Sequence, residues 1–161
     1  MSTRRVIRFG SQNELFGVLH VPDSGTSKRG FVLCAPFAEE AKSTYRVFFN
    51  LATCLADAGW TVLRFDYYGT GNSLGSFDSF APSRARSDIL SAIDHLRSHE
   101  VSDLGLLGLG MGASLAFQVA ASSPCQRLIL WQPILDGQEF YRLNVRQKAF
   151  RQLLIRSRGQ K

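Results

Sequence analysis

The sequence predicts an α/β protein, a three-layer α/β/α sandwich around a mostly parallel sheet. Three observations carry that expectation. Two leading strand patterns are followed by a regular alternation of strands and helices. The runs Gly30–Ala35, Trp60–Phe65 and Asp103–Leu109 are short and largely apolar, as strands covered on both faces are. Glycine and polar clusters at 36–42, 66–75 and 108–113 follow those runs. They fall at the carboxyl ends of the strands, where sheets of this kind bind their ligands.

Each element has a local reason. Arg4–Phe9 and Glu14–Val21 read as strands joined by the turn residues Gly10-Ser11-Gln12-Asn13. Residues 22–27 form a loop of Pro, Asp, Ser, Gly and Thr. Ser43 or Thr44 is the expected cap of a helix that runs to Ala58, with Gly59 as terminator. A polar, glycine-rich loop spans 67–80. Pro82 and Ser83 open a helix to about Ser98, with Ile89, Leu90, Ile93 and Leu96 on one side. The strand Asp103–Leu109, a helix Met111–Ser122 and the strand Arg127–Trp131 follow, then a helical pattern over Gln138–Ser157. This divides the chain into a core, 1–137, and a basic helix, 138–161.

Composition bounds the function class. The 161 residues are 45% hydrophobic and 20% charged, which describes a folded domain with a core of its own. The net charge of +6 is uneven: residues 1–136 carry twelve Lys/Arg and twelve Asp/Glu, whereas 137–161 carry seven Lys/Arg against Glu139. The basic character belongs to the last segment, and the neutral body does not suggest a nucleic-acid partner. No apolar run approaches the ~18 residues of a membrane span, and the start lacks a signal-peptide centre. Cys34, Cys54 and Cys125 fit neither a disulfide nor a zinc pattern and read as buried free thiols. A cytoplasmic location is expected. The basic helix, with its aromatic residues, is a candidate for weak contact with an anionic membrane surface.

The chemistry centres on Leu104-Gly105-Leu106-Leu107-Gly108-Leu109-Gly110-Met111-Gly112-Ala113. An apolar strand runs into a glycine turn and then directly into a helix. This is the setting of G-x-S-x-G, in which a strained turn lifts a serine hydroxyl above the sheet. Gly110 stands at the serine position and offers no attacking atom. The backbone still has use: the Met111 N–H opens a helix, where oxyanions are stabilised. Phe37 N–H is the matching second donor, because Pro36 has none. Glu39 and Glu40 are candidate general bases, or simply negative charges at a helix start.

Other signals carry less. Gly71-Asn72-Ser73-Leu74-Gly75 spells G-x-S-x-G but lacks the strand–turn–helix context, so Ser73 reads as a loop hydrogen-bonder. Asp66 ends a strand and reads as an acceptor for backbone N–H groups of the next turn. His20 falls late in a strand placed at the sheet edge. His95 and His99 share a helix face as an exposed pair, and no third metal ligand accompanies them. No metal or cofactor is expected. The alternative reading G-x-G-x-x-A over 108–113, with Asp136 as a ribose acid, keeps a dinucleotide-binding, Rossmann-like domain open.

Taken together, Ala35-Pro36-Phe37-Ala38-Glu39-Glu40, Lys42-Ser43, Leu55–Trp60, Asp66–Ser73, Gly108–Ala113 and Trp131–Gly137 resemble the α/β-hydrolase superfamily. Within it they are similar to the exosortase A system-associated hydrolases of type 2, over about residues 5–155. The resemblance implies ester or thioester hydrolysis of a small molecule, in a protein linked to exopolysaccharide and protein-sorting gene neighbourhoods. It also implies a chain that stops about two strands early, before the family's acid and histidine, so that no intact Ser-Asp-His triad is expected. On this resemblance the last helix is the start of a lid, with Phe140, Leu143, Phe150, Leu153 and Leu154 turned toward the site or toward the missing remainder. A non-catalytic anion- or acyl-binding module is the other functional expectation. Arg127–Trp131 would leave an open sheet edge, suited to a homodimer.

Overall fold

A computed structural model describes residues 2–143, 145 and 146. The strands are β1 (Thr3–Phe9), β2 (Leu15–Val21), β3 (Arg29–Cys34), β4 (Thr61–Asp66), β5 (Asp103–Leu109) and β6 (Arg127–Trp131). The helices are α1 (Ala38–Asp57), α2 (Pro82–Ser98) and α3 (Met111–Ser122). The strands make one sheet in the order β1-β2-β4-β3-β5-β6. β1 and β2 are antiparallel to their neighbours, and β4, β3, β5 and β6 run parallel. The expected three-layer sandwich is what forms.

Each face has its own core. Phe48 and Ala52 of α1 pack with Phe31, Leu33, Val62, Leu107 and Leu109 on one side of the sheet. On the other side Ile89, Ile93 and Leu96 of α2, with Leu115, Ala116 and Val119 of α3, pack on Val32, Leu63, Leu104 and Leu106. The inner strands are therefore covered twice, which is why they read as near-continuous apolar runs. β1 and β6 are the edges of the sheet. Every residue of β6 is exposed, including Ile129 and Trp131.

Several expectations need correction. α1 starts at Ala38, five residues before Ser43. Phe37 precedes it in an extended conformation with no side-chain cap, so the cap signal that points to Ser43 or Thr44 is misleading. The Ser43 and Thr44 hydroxyls instead donate to the Glu40 carbonyl inside the helix, at 3.0 and 2.6 Å. His20 is not at an edge: β2 lies between β1 and β4, and His20 is fully buried. Leu90 faces outward from α2. His95 and His99 are half-buried rather than exposed, with His95 against the Phe9 ring at 5.3 Å and His99 Nδ1 hydrogen-bonded to the His95 carbonyl. The three cysteines are free, but only Cys34 is buried, and Cys54 is exposed.

The segment after β6 is helical over 137–143. Asp136 caps it, accepting from the Gln138 and Glu139 amides at 2.8 and 3.0 Å. The expected continuation to Ser157, with Phe150, Leu153 and Leu154, lies outside the described residues. No described helix is long and apolar enough to cross a membrane.

Candidate active site

The site begins with two loops held side by side. β3 and β5 are parallel neighbours, with Cys34 opposite Gly108. The loop after β3 (Ala35-Pro36-Phe37) and the turn after β5 (Gly110) therefore leave the same end of the sheet. Gly112 sets their spacing. A Cβ there would run into the carbonyl oxygens of Cys34 and Ala35, so only glycine lets α3 start this close to β3. The Tyr67 hydroxyl donates to the Ala35 carbonyl at 3.2 Å and holds the loop from the β4 side.

Gly110 is the turn itself. Its φ of 56° and ψ of −122° form a sharp bend into α3 that a side chain would strain. Its N–H donates to the Trp131 carbonyl at 2.9 Å, and its carbonyl accepts from the Ala113 amide at 3.1 Å, so the bend is held at both ends. The Ser114 hydroxyl, one turn on, donates to the Ile134 carbonyl at 2.8 Å and ties down the segment after β6. The Met111 and Phe37 N–H groups have no hydrogen-bond partner among the described residues.

The deciding contact comes from α1. A Cβ built on Gly110 would lie 2.5 Å from Glu40 Oε2. The Glu40 carboxylate thus occupies the space into which a side chain at position 110 would project. Ala38, held at a φ of 55°, is what lets α1 begin at once and aim its first turn at the β5 crest. The Glu40 side chain has no hydrogen-bond or ion-pair partner among the described residues. Glu39 does not join it: it is exposed and pairs with Lys42 at 3.1 Å. Of the five sequence-predicted residues, the structure brings Glu40 over Gly110, places Met111 at the first position of α3 and Phe37 just before α1, and turns Glu39 to solvent. The Phe37 ring packs against Phe80 and Phe77, with centroids 4.4 and 5.4 Å away.

The loop after β4 is structural. Asp66 Oδ2 accepts from the Asn72 amide at 2.8 Å, and the Ser73 hydroxyl donates to the Asp66 carbonyl and accepts from the Phe16 amide. Burial pushes the Asp66 carboxyl above its ordinary range, against the pull of the Asn72 amide and Arg64. Asp88, also pushed up by burial, accepts from the Tyr68 amide at 2.8 Å and from Arg84 at 3.1 Å. Arg84 in turn reaches Glu14 at 2.8 Å. Both roles expected for Asp66 and Ser73, backbone acceptor and loop hydrogen-bonder, are the ones they play.

Sequence reasoning missed the pair His20 and Arg64. Arg64 Nε donates to His20 Nε2 at 3.2 Å, deep between β2, β4 and α1. Burial, followed by the charges of Arg64 and Arg4, lowers the His20 pKa to about 4. The signal was present as polar residues inside apolar strand patterns, but the antiparallel pairing of β2 with β4 was needed to join them.

Residues 27–160 match the profile of the serine aminopeptidase family S33. The chain belongs to that family. Solved structures agree on the fold: an α/β serine hydrolase without a lid from Xanthomonas campestris is 25% identical, with a TM-score of 0.61, covering 75% of this chain and 56% of that one. An α/β serine hydrolase homologue from Coxiella burnetii, 22% identical, also has a TM-score of 0.61, over 76% and 58%. An acyl transferase of Aliivibrio fischeri is 30% identical over 121 residues, 73% of this chain and 38% of that protein. One from Photobacterium leiognathi is 32% identical over 83 residues, 51% and 26%. The chain thus spans about a quarter to two-fifths of the length of these curated relatives.

Membership in the S33 family fits the bend at Gly110 and weighs against the dinucleotide reading. Asp136, the would-be ribose acid, is spent capping a helix. The Glu40 carboxylate lies over the turn where a pyrophosphate would need to sit, and like charges repel there.

Proposed function

We propose that this S33-family chain binds an acyl ester or thioester at the Gly110 turn and hydrolyses it by direct attack of water. The observation that carries the reading is the Glu40 carboxylate above a turn with no side chain of its own. The acyl carbonyl oxygen accepts from the Met111 and Phe37 N–H groups, which lack other described partners. Glu40 takes a proton from water, and the hydroxide oxygen bonds to the carbonyl carbon. The tetrahedral species then expels the alcohol or thiol, whose oxygen or sulfur receives the proton from Glu40. One water is consumed, and an acid and an alcohol or thiol leave. No acyl-enzyme forms, since position 110 has nothing to acylate. The kinship with proteins named acyl transferases supports an acyl substrate.

The same geometry disfavours the alternative of a site for a free anion, because Glu40 already places a negative charge at the start of α3. Acyl binding without turnover is the remaining alternative, and it differs in outcome. The test is hydrolysis of p-nitrophenyl acetate by the full chain. Turnover above buffer is expected, falling at least about tenfold in Gly110→Ala, whose methyl displaces Glu40. Turnover no faster than buffer overturns the proposal.

The association with exosortase and exopolysaccharide systems belongs to this proposal and is supported by the sequence resemblance. So do a cytoplasmic location and the lid and membrane-surface roles of the basic segment. A homodimer pairing β6 with β6 is supported by the fully exposed edge strand. Sedimentation at high concentration is expected to show a dimer that Ile129→Lys dissociates; a monomer throughout contradicts it.

A further inference from the structure

Beneath α1, a cavity of about 90 Å³ opens between the helix, the amino half of β2 and the carboxyl ends of β3 and β4, and it reaches Ala35 and Pro36 of the loop before Phe37. Its walls are mainly apolar, with Val18, Leu33, Phe48 and Phe65 among them, and Arg64 lines it too. That volume is well above the roughly 15 Å³ that one water requires. Arg64 is only 8% exposed. Its Nε is committed to His20, and its guanidinium lies 5.2 Å and 5.3 Å from the Tyr45 and Phe49 ring centroids. No carboxylate pairs with it among the described residues, and its two terminal nitrogens have no acceptor there. His20 offers no charge compensation, being held neutral, and Arg4 adds a second cation over the same Phe49 ring at 5.1 Å.

The opposite charge that Arg64 faces is Asp66, which lines the same cavity and feels the guanidinium but makes no ion pair with it, so the two terminal nitrogens stay open to a further acceptor. We propose that this cavity is a binding site for a small monocarboxylate with an apolar tail, its carboxylate bridging the two terminal nitrogens of Arg64. The planar guanidinium fork matches a carboxylate in a bidentate pair. The apolar walls suit a short alkyl tail. The Asp66 carboxylate also lines the cavity, which disfavours a doubly charged phosphate. The cavity borders the acyl site through Ala35, Pro36 and Ala41 but holds none of Phe37, Glu40, Gly110 and Met111, and its test reads ligand binding at Arg64 rather than turnover, so the two proposals fail separately.

The experiment titrates the full chain with propionate, and separately with inorganic phosphate, at constant ionic strength by calorimetry. Saturable propionate binding is expected, at least about tenfold tighter than phosphate. Ala41→Phe, which places a ring at the cavity wall, is expected to abolish it, and Arg64→Lys to weaken it at least about tenfold. In the wild-type chain, the Arg64 Nε resonance should shift with propionate along the same binding curve, so the result does not depend on the variants folding. Absence of propionate binding overturns the proposal. So does binding that leaves the Arg64 resonance unmoved, survives Ala41→Phe, or is matched by phosphate.

Discussion

Glu40→Gln is expected to lower p-nitrophenyl acetate hydrolysis by about a hundredfold or more, the usual range for loss of a general base. The amide is nearly isosteric and sits in the same place above Gly110, but it cannot take a proton from water. Because the Glu40 side chain makes no hydrogen bond or ion pair with described residues, its exchange leaves the fold intact, and the melting temperature should stay within about 2 °C of wild type. Glu40→Ala supplies a sharper readout. Removing the side chain opens the space over the turn, and added formate should restore part of the lost rate by standing in for the carboxylate. A merely structural glutamate would show neither the rate loss in Gln nor the rescue in Ala. Equal rates in wild type and Glu40→Gln would place the base elsewhere.

Stability is expected to fall by about 3 kcal/mol as pH drops from about 6.5 to 4, because of His20 alone. The folded-state pKa of about 4 lies below the ordinary value of 6.5. Between those values the unfolded chain binds a proton that the folded chain refuses, so acid favours unfolding. The contribution is complete above pH 6.5 and is lost as pH falls through the folded value. The causes are geometric: His20 is fully buried, Arg64 donates to its Nε2, and Arg4 lies nearby across Phe49. Asp66 and Asp88, pushed up by burial, act with the opposite sign over part of this window. The measurable quantity is therefore the difference from His20→Gln, which keeps an acceptor for Arg64 and does not titrate. Urea midpoints across this range should slope for wild type and flatten in the variant; parallel slopes would contradict the assignment.

The parts of this molecule that were legible from sequence are those set by neighbours along the chain. β5, α3 and β6 fall at the residues expected, because an apolar run, a glycine turn and a small-residue helix are local patterns. The start of α1 was not legible. Phe37 and Ala38 carry no cap residue, and the left-handed Ala38 is imposed by the crossing from β3 to the helix. Glu40 was visible as a candidate, but its distinction from Glu39 was not. That distinction depends on which carboxylate the first turn of α1 aims at Gly110, a matter of the parallel β3–β5 register. The His20–Arg64 pair was hidden for the same kind of reason, since its members lie 44 residues apart on antiparallel strands. By pattern alone β2 falls at an edge, and only the strand order makes His20 an interior residue.

The central claim is that water, not a side chain, attacks the acyl group above Gly110. Intact-mass spectrometry of the chain during p-nitrophenyl acetate turnover tests it most directly. Nitrophenolate is expected to be released while the chain keeps its unmodified mass throughout. An acylated chain that forms and decays at the turnover rate would contradict it.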